Sequence, residues 1–173
     1  LLIAAAICLL GLGGLRVGQE LVKQAKDSRV AAVIPANTQS IKNGLEQELG
    51  MHCQSSNASG EAFSYTRWEC SADANGVKSF ANMYSRQRAP ESVDYLSAQT
   101  GNSDVEQDLA YWTKVVGLAI PSAEAPEVRA WLTQAQPTLA EQGSYAETTI
   151  DGVVVTLENP YGMGLILKIG IVK

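Results

Sequence analysis

At 173 residues, 46% hydrophobic and 18% charged, the chain has room for one folded domain plus an appendage, and its composition excludes a disordered polymer. The net charge of −5 is uneven: residues 1 to 30 hold four basic and two acidic side chains, leaving nine Lys/Arg against sixteen Asp/Glu from Ala31 onward. Such an acidic domain, with no Lys/Arg stripe interleaved with aromatics, excludes nucleic acid as a partner.

The N-terminal run Leu1 to Leu15 (LLIAAAICLLGLGGL) carries no charge. As a helix it reaches about 22 Å, short of the roughly 30 Å of a bilayer core. It spans only if it continues past Arg16 and Val17 or is extended upstream of Leu1. Gly14 and Gly18 form a GxxxG pair. With Gly11, Gly13 and the alanines Ala4 to Ala6 they make much of the helix surface small, which lets helix backbones approach one another in an apolar medium. Residues 1 to 30 are therefore expected to be a transmembrane or filament-core helix, with residues around 1 to 17 inside the membrane or filament. Arg16, Lys23, Lys26 and Arg29 follow the run. By the positive-inside rule they belong in the cytoplasm, whereas the cysteines discussed below place the domain outside. That conflict stays open at the level of sequence.

Val17, Leu21 and Ala25, then Ile34, Ile41, Leu45 and Leu49, recur at helical multiples. Pro35 interrupts them, so a kink or break is expected near Val33 to Pro35, with a second helix starting there and ending at Gly50. An apolar Ala/Leu/Ile helix running directly into AKDSRVAAVIPANTQSIKNGLEQELG resembles the N-terminal half of type IV pilins. SIKNGLEQEL is similar to the stretch where the pilin helix enters its globular domain. The resemblance covers about residues 1 to 50 and implies a long helix that packs against copies of itself in a filament.

Cys8 lies in the apolar run, while Cys53 and Cys70 flank a polar stretch 17 positions apart. That spacing suits a loop-closing disulfide, with two reduced core thiols as the alternative. A bond implies an oxidising compartment and stabilises by roughly 3 kcal/mol. Residues 31 to 173 then read as an exported domain. Within the ring, Gln54 to Gly60 reads as a loop.

Phe63 to Ser71 reads as a strand with Trp68 and Cys70 inward, and Asp73 to Gly76 ends in the Asn-Gly signal of a hairpin returning through Val77 to Tyr84. Pro90 is expected to start a short helix through Val93 and Leu96, ending by Gly101. Ser103 with Glu106 forms a capping box for a helix carrying Val105, Leu109, Trp112 and Val116 on one face. Pro121 stops it. Pro126 starts another, with Val128, Trp131, Leu132 and Ala135 inward, and Pro137 marks its end. A meander follows: Tyr145 to Ile150, the turn Asp151-Gly152, Val153 to Glu158, a loop over Asn159 to Gly164, and Leu165 to Lys173. The expected fold is α+β, a long N-terminal helix followed by one antiparallel sheet of about five strands with helices packed on one face.

No residue constellation for catalysis, metal or cofactor emerges. His52 is the one histidine, and its neighbour Cys53 is assigned to the disulfide. Glu91, Asp94, Asp104, Glu106 and Asp108 sit at expected helix starts, where they complement the helix dipole. Gly162-Met163-Gly164 precedes no helix and is not a phosphate loop. Trp68, Trp112 and Trp131 fall in the apolar phase of their elements, and Asn57-Ala58-Ser59 has the form of a glycosylation acceptor. The reading is a non-catalytic subunit of a surface filament, assembled from copies of itself through Gly11, Gly14 and Gly18. The alternative is a single-pass, membrane-anchored accessory subunit that binds another membrane protein. The alternative draws on the absence, around Ile3, of the glutamate that pilins carry near their mature N-terminus.

Overall fold

The computed structural model describes residues 33–59, 64–74, 77–86, 89–101, 104–162 and 164–170. The apolar run, with Cys8, Gly11, Gly14 and Gly18, lies outside them, as do Asn75, Gly76 and Ser103. Ala32–Lys173 makes one compact unit.

The protein is mostly sheet, at 44%. Strand β1 (Ile34–Asn37) leads into helix α1 (Thr38–Glu48), followed by β2 (His52–Ser59), β3 (Ser64–Ala74), β4 (Val77–Arg86), β5 (Ser92–Val93) and β6 (Tyr95–Thr100). Helices α2 (Val105–Ala119) and α3 (Ala125–Ala135), with a 3-10 turn at Gln136–Thr138, precede β7 (Tyr145–Ile150), β8 (Val153–Glu158) and β9 (Ile166–Gly170). One sheet has seven strands in the order β2-β3-β4-β6-β9-β8-β7, all antiparallel, and β1 pairs with β5 in a second, two-stranded one.

The expectation of a long N-terminal helix and a five-stranded sheet is thus corrected: the described residues form three short helices and a seven-stranded sheet, and no long N-terminal helix is shown. Where the second half of that helix should begin, Ile34–Asn37 is extended and Ile34 pairs with Val93. Pro35 lacks the amide hydrogen a helix needs, and it biases Ile34 toward extended geometry. The helix waits for Asn37, whose side chain accepts from the Ser40 amide at 2.8 Å. At the other end Gly50 takes a φ of +62°, and the Met51 amide returns to the Leu45 carbonyl at 3.0 Å.

Two further expectations fail for the same reason, a strand mistaken for something else. The polar stretch from Gln54 is β2, paired residue for residue with β3. The helix expected at Pro90 is the strands β5 and β6, with Leu96, Ala98 and Thr100 alternating into the interior. Helix α2 starts at Val105 with Asp104 as its cap, accepting from the Glu106 amide at 2.9 Å, and Val105 is exposed. The β3–β4 hairpin has Ala74 opposite Val77, and the C-terminal meander pairs Ile150 with Val153 and Glu158 with Ile166.

The helices cover one face of the large sheet. Met83, Leu96, Val155, Leu157, Leu167 and Ile169 from the strands meet Ile41, Leu45, Leu109, Trp112, Val116, Val128 and Leu132 in a single buried cluster. Trp112 is buried, while Trp68 and Trp131 lie at the margin of that cluster. The turn between β7 and β8 has positive φ at both Asp151 (49°) and Gly152 (79°), the geometry of a tight hairpin. Gly152→Val should therefore cost about 1–3 kcal/mol, read as a lower melting temperature. An unchanged melting curve would show that the turn adapts.

Candidate interaction surface

Strand alternation gives the large sheet an outer face that none of the described elements covers. Cys53, Cys70, Ala81, Met83, Leu96, Ala98, Leu167, Ile169, Val155 and Leu157 are buried on the inner side. Their immediate neighbours in sequence point the other way. Tyr65, Arg67 and Glu69 on β3, Phe80, Asn82 and Tyr84 on β4, Tyr95 and Ser97 on β6, and Lys168 on β9 are outward, and every one is half-buried or exposed.

Register aligns these residues into rows. Arg67 lies opposite Tyr84, Tyr84 opposite Tyr95, and Tyr95 opposite Gly170. The ring centroids of Tyr65 and Tyr84 are 5.6 Å apart, as are those of Tyr84 and Tyr95, with interplanar angles of 57° and 45°. The Arg67 guanidinium sits 5.8 Å from the centre of the Tyr84 ring. It is held there by Glu69 Oε1 at 2.7 Å and donates to Asn82 Oδ1 at 3.2 Å. Its Nε has no hydrogen-bond partner. Lys168 pairs with Glu158, and Arg86 with Asp94 at 3.2 Å.

The Tyr95 hydroxyl is pushed up to about 12, chiefly by burial, then by the Glu158 carboxylate and Tyr84, against a side-chain hydrogen bond with Ser97 that lowers it. Tyr95 is therefore neutral throughout the ordinary pH range. Tilted tyrosines, a guanidinium fixed over one of them and charges paired within the face make a surface suited to binding a protein, since Tyr and Arg dominate interface cores while unpaired charges are depleted there.

Elsewhere the candidate groups have structural roles. Cys53 and Cys70 stand directly opposite each other in β2 and β3, with Cα atoms 4.0 Å apart, and are bonded. Both are buried, so the bond fastens the edge strand β2 from its inner side. His52 begins β2 and is exposed opposite Ser71. Asn57 accepts from the Thr66 hydroxyl at 3.1 Å. Glu106 pairs with Arg129 of α3, and Ser122 donates to Asp151. Burial raises the Asp108 carboxyl above the usual range, opposed by a hydrogen bond with Thr100 and reinforced by Asp104. Tyr111, raised by burial, donates to the Phe80 carbonyl at 2.8 Å.

Among the described residues no group of three or more His, Cys, Asp or Glu side chains could hold a metal, and no helix is long and apolar enough to cross a membrane. The structure places Gly11, Gly14 and Gly18 outside what it describes, so their contact is a matter for experiment. The tyrosine row was missed in the sequence, although its signal is there: Tyr65 and Arg67 occupy the strand phase opposite Trp68 and Cys70. No protein-family model, curated protein or solved structure matches this chain.

Proposed function

We propose that the chain is a non-catalytic subunit of a surface filament, assembled through its apolar N-terminal segment with the disulfide-bonded domain presented outside. The observation that carries this reading is the Cys53–Cys70 bond, buried in a domain that follows an uncharged run of fifteen residues. A disulfide belongs to an oxidising compartment, and a Gly-rich apolar run is suited to packing among copies of itself. The polar-aromatic sheet face adds support, because an open face suits protein contact better than the enclosure of a small substrate.

One observation favours the alternative, a single-pass anchor carrying an accessory domain. The pilin resemblance implies a helix entering the domain without a break, whereas Ile34–Asn37 is a strand. Gly14→Leu separates the two. It makes the segment more apolar but holds packed helices apart, so an anchor should insert as well as before while a filament core should fail. With the variant expressed in its native host, sheared surface material should lose the protein and the membrane fraction should keep folded, disulfide-bonded monomer. Filaments in normal yield would remove Gly14 from the contact, and absence of any oligomer of the unmodified chain would leave the anchor reading.

A further inference from the structure

We infer that the outer face of the seven-stranded sheet is a contact between two copies of this chain, packed sheet to sheet through the row Arg67, Tyr84 and Tyr95. This rests on the assembly reading above in taking the partner to be a copy, and it adds a second contact to the one expected of the N-terminal segment.

The charge distribution selects the partner. The outward positions of the seven strands hold Arg67, Lys78, Arg86 and Lys168 against Glu69, Asp73, Glu147 and Glu158, a balance of four and four. The rest of the sequence from Ala31 then keeps five Lys/Arg against twelve Asp/Glu. Two copies repel through every other part of that surface and meet at least cost here. A strongly basic partner is drawn to the acidic remainder, away from this face. A copy of the same chain matches it, because it carries both signs in separate places, Lys78 and Arg86 on β4 and Glu147 and Glu158 on β7 and β8. A two-fold-related copy can set each against its opposite, as a self-complementary contact requires.

Area and composition agree. Seven strands about 4.8 Å apart, each contributing about five residues, give a flat footprint of roughly 550 Å² before side-chain relief. With that relief it approaches the scale of about 800 Å² per partner in stable complexes. The tyrosine row lies at one end of the footprint, where β6 begins and β9 ends, and Phe80, 44% exposed, adds an apolar side chain four residues away on β4. Arg67 and Lys168 are already paired with Glu69 and Glu158 within the chain, so burial of these against a copy leaves none of the four without a partner.

The test uses the full chain in detergent, with self-association read by sedimentation and light scattering. Gln54 and Gln99 are exposed on the outer face, in β2 and β6. The isosteric double substitution Gln54→Glu with Gln99→Glu adds two negative charges per copy. It should raise the dissociation constant at least tenfold at low salt, with recovery as salt screens the added charge. Tyr84→Ala should weaken association by a similar factor at every salt concentration. Unchanged melting curves and the absence of free Cys53 and Cys70 thiols check that each variant is folded. Weakening by these substitutions supports the sheet contact: if Gly14→Leu also weakens association both contacts stand, and if Gly14→Leu still associates fully the helix contact is removed. Association untouched by the sheet variants but lost in Gly14→Leu overturns the sheet contact and leaves the helix reading standing. A monomeric unmodified chain at all concentrations overturns both.

Discussion

Replacing Cys53 and Cys70 together with alanine should lower the unfolding free energy by about 3 kcal/mol, the scale for a ring closed over 17 residues. For a domain of this size that is a fall of roughly 10 °C in melting temperature. The loss should be uneven. Among the described strands β2 lies at the edge of the sheet and pairs with β3 alone, and beyond Cys53 its inward positions Ser55 and Asn57 are exposed. It has no apolar face to hold it once the bond is gone. Amide hydrogen exchange should therefore quicken first in β2, then in the β3 amides facing it, while β6, β9 and β8 keep their protection. A melting curve unchanged by the double substitution would mean that the bond serves something other than stability.

Gly170→Ala should be at least as damaging, although it adds only a methyl group. Gly170 has a φ of +86°, and a Cβ there would fall 2.5 Å from the Asp94 carbonyl oxygen. That contact is with backbone, so it cannot be relieved by turning a side chain. It lies where β9 pairs with β6, Gly170 being opposite Tyr95. Left-handed geometry and the enforced shift together should cost about 3 kcal/mol or more, measured by denaturant unfolding. The substitution should also displace the row on which Tyr84 and Tyr95 sit. A loss smaller than that of Gly152→Val would show that the β6–β9 junction yields more easily than an exposed turn.

The elements legible in the sequence were those in which one physical signal dominates. Leu109, Trp112 and Val116 lie on one helical face between the Ser103–Glu106 capping-box signal and Pro121, and the Asp151-Gly152 turn sits between β-branched runs; these signals mark α2 and the β7–β8 hairpin. What was not legible were strands whose pattern imitates something else. Val93 and Leu96 are three apart after a proline, as on a helix. In the structure Val93 belongs to β5 and Leu96 begins the inward alternation of β6. Beyond Cys53 the residues of β2 are Ser, Asn and Gln with one Ala, a composition that sequence propensity assigns to a loop; neighbouring β3 and the disulfide override that preference. Missing β2 and β6 left the sheet two strands short, and without β6 there was no way to see Tyr95 beside Tyr84. The interaction surface depends on lateral neighbours, which a single strand does not reveal.

The strand order also constrains when the domain can form. Strand β9 lies between β6 and β8, so it joins two ribbons, β2-β3-β4-β6 and β7-β8, that share no strand pairing without it. The first ribbon is built from hairpins and one short return, pairings local in sequence. The β6–β9 pairing, by contrast, brings together Leu96 and Ile169 across both helices and the meander. Loop closure makes that the slowest kind of contact to establish. During synthesis, the earlier strands emerge with their inward faces waiting for residues that follow both helices. The ribbons can mature separately, but the sheet becomes one cooperative unit only when Ile166–Gly170 is seated. The interval before that step is when unpaired edges of neighbouring chains can most readily find one another.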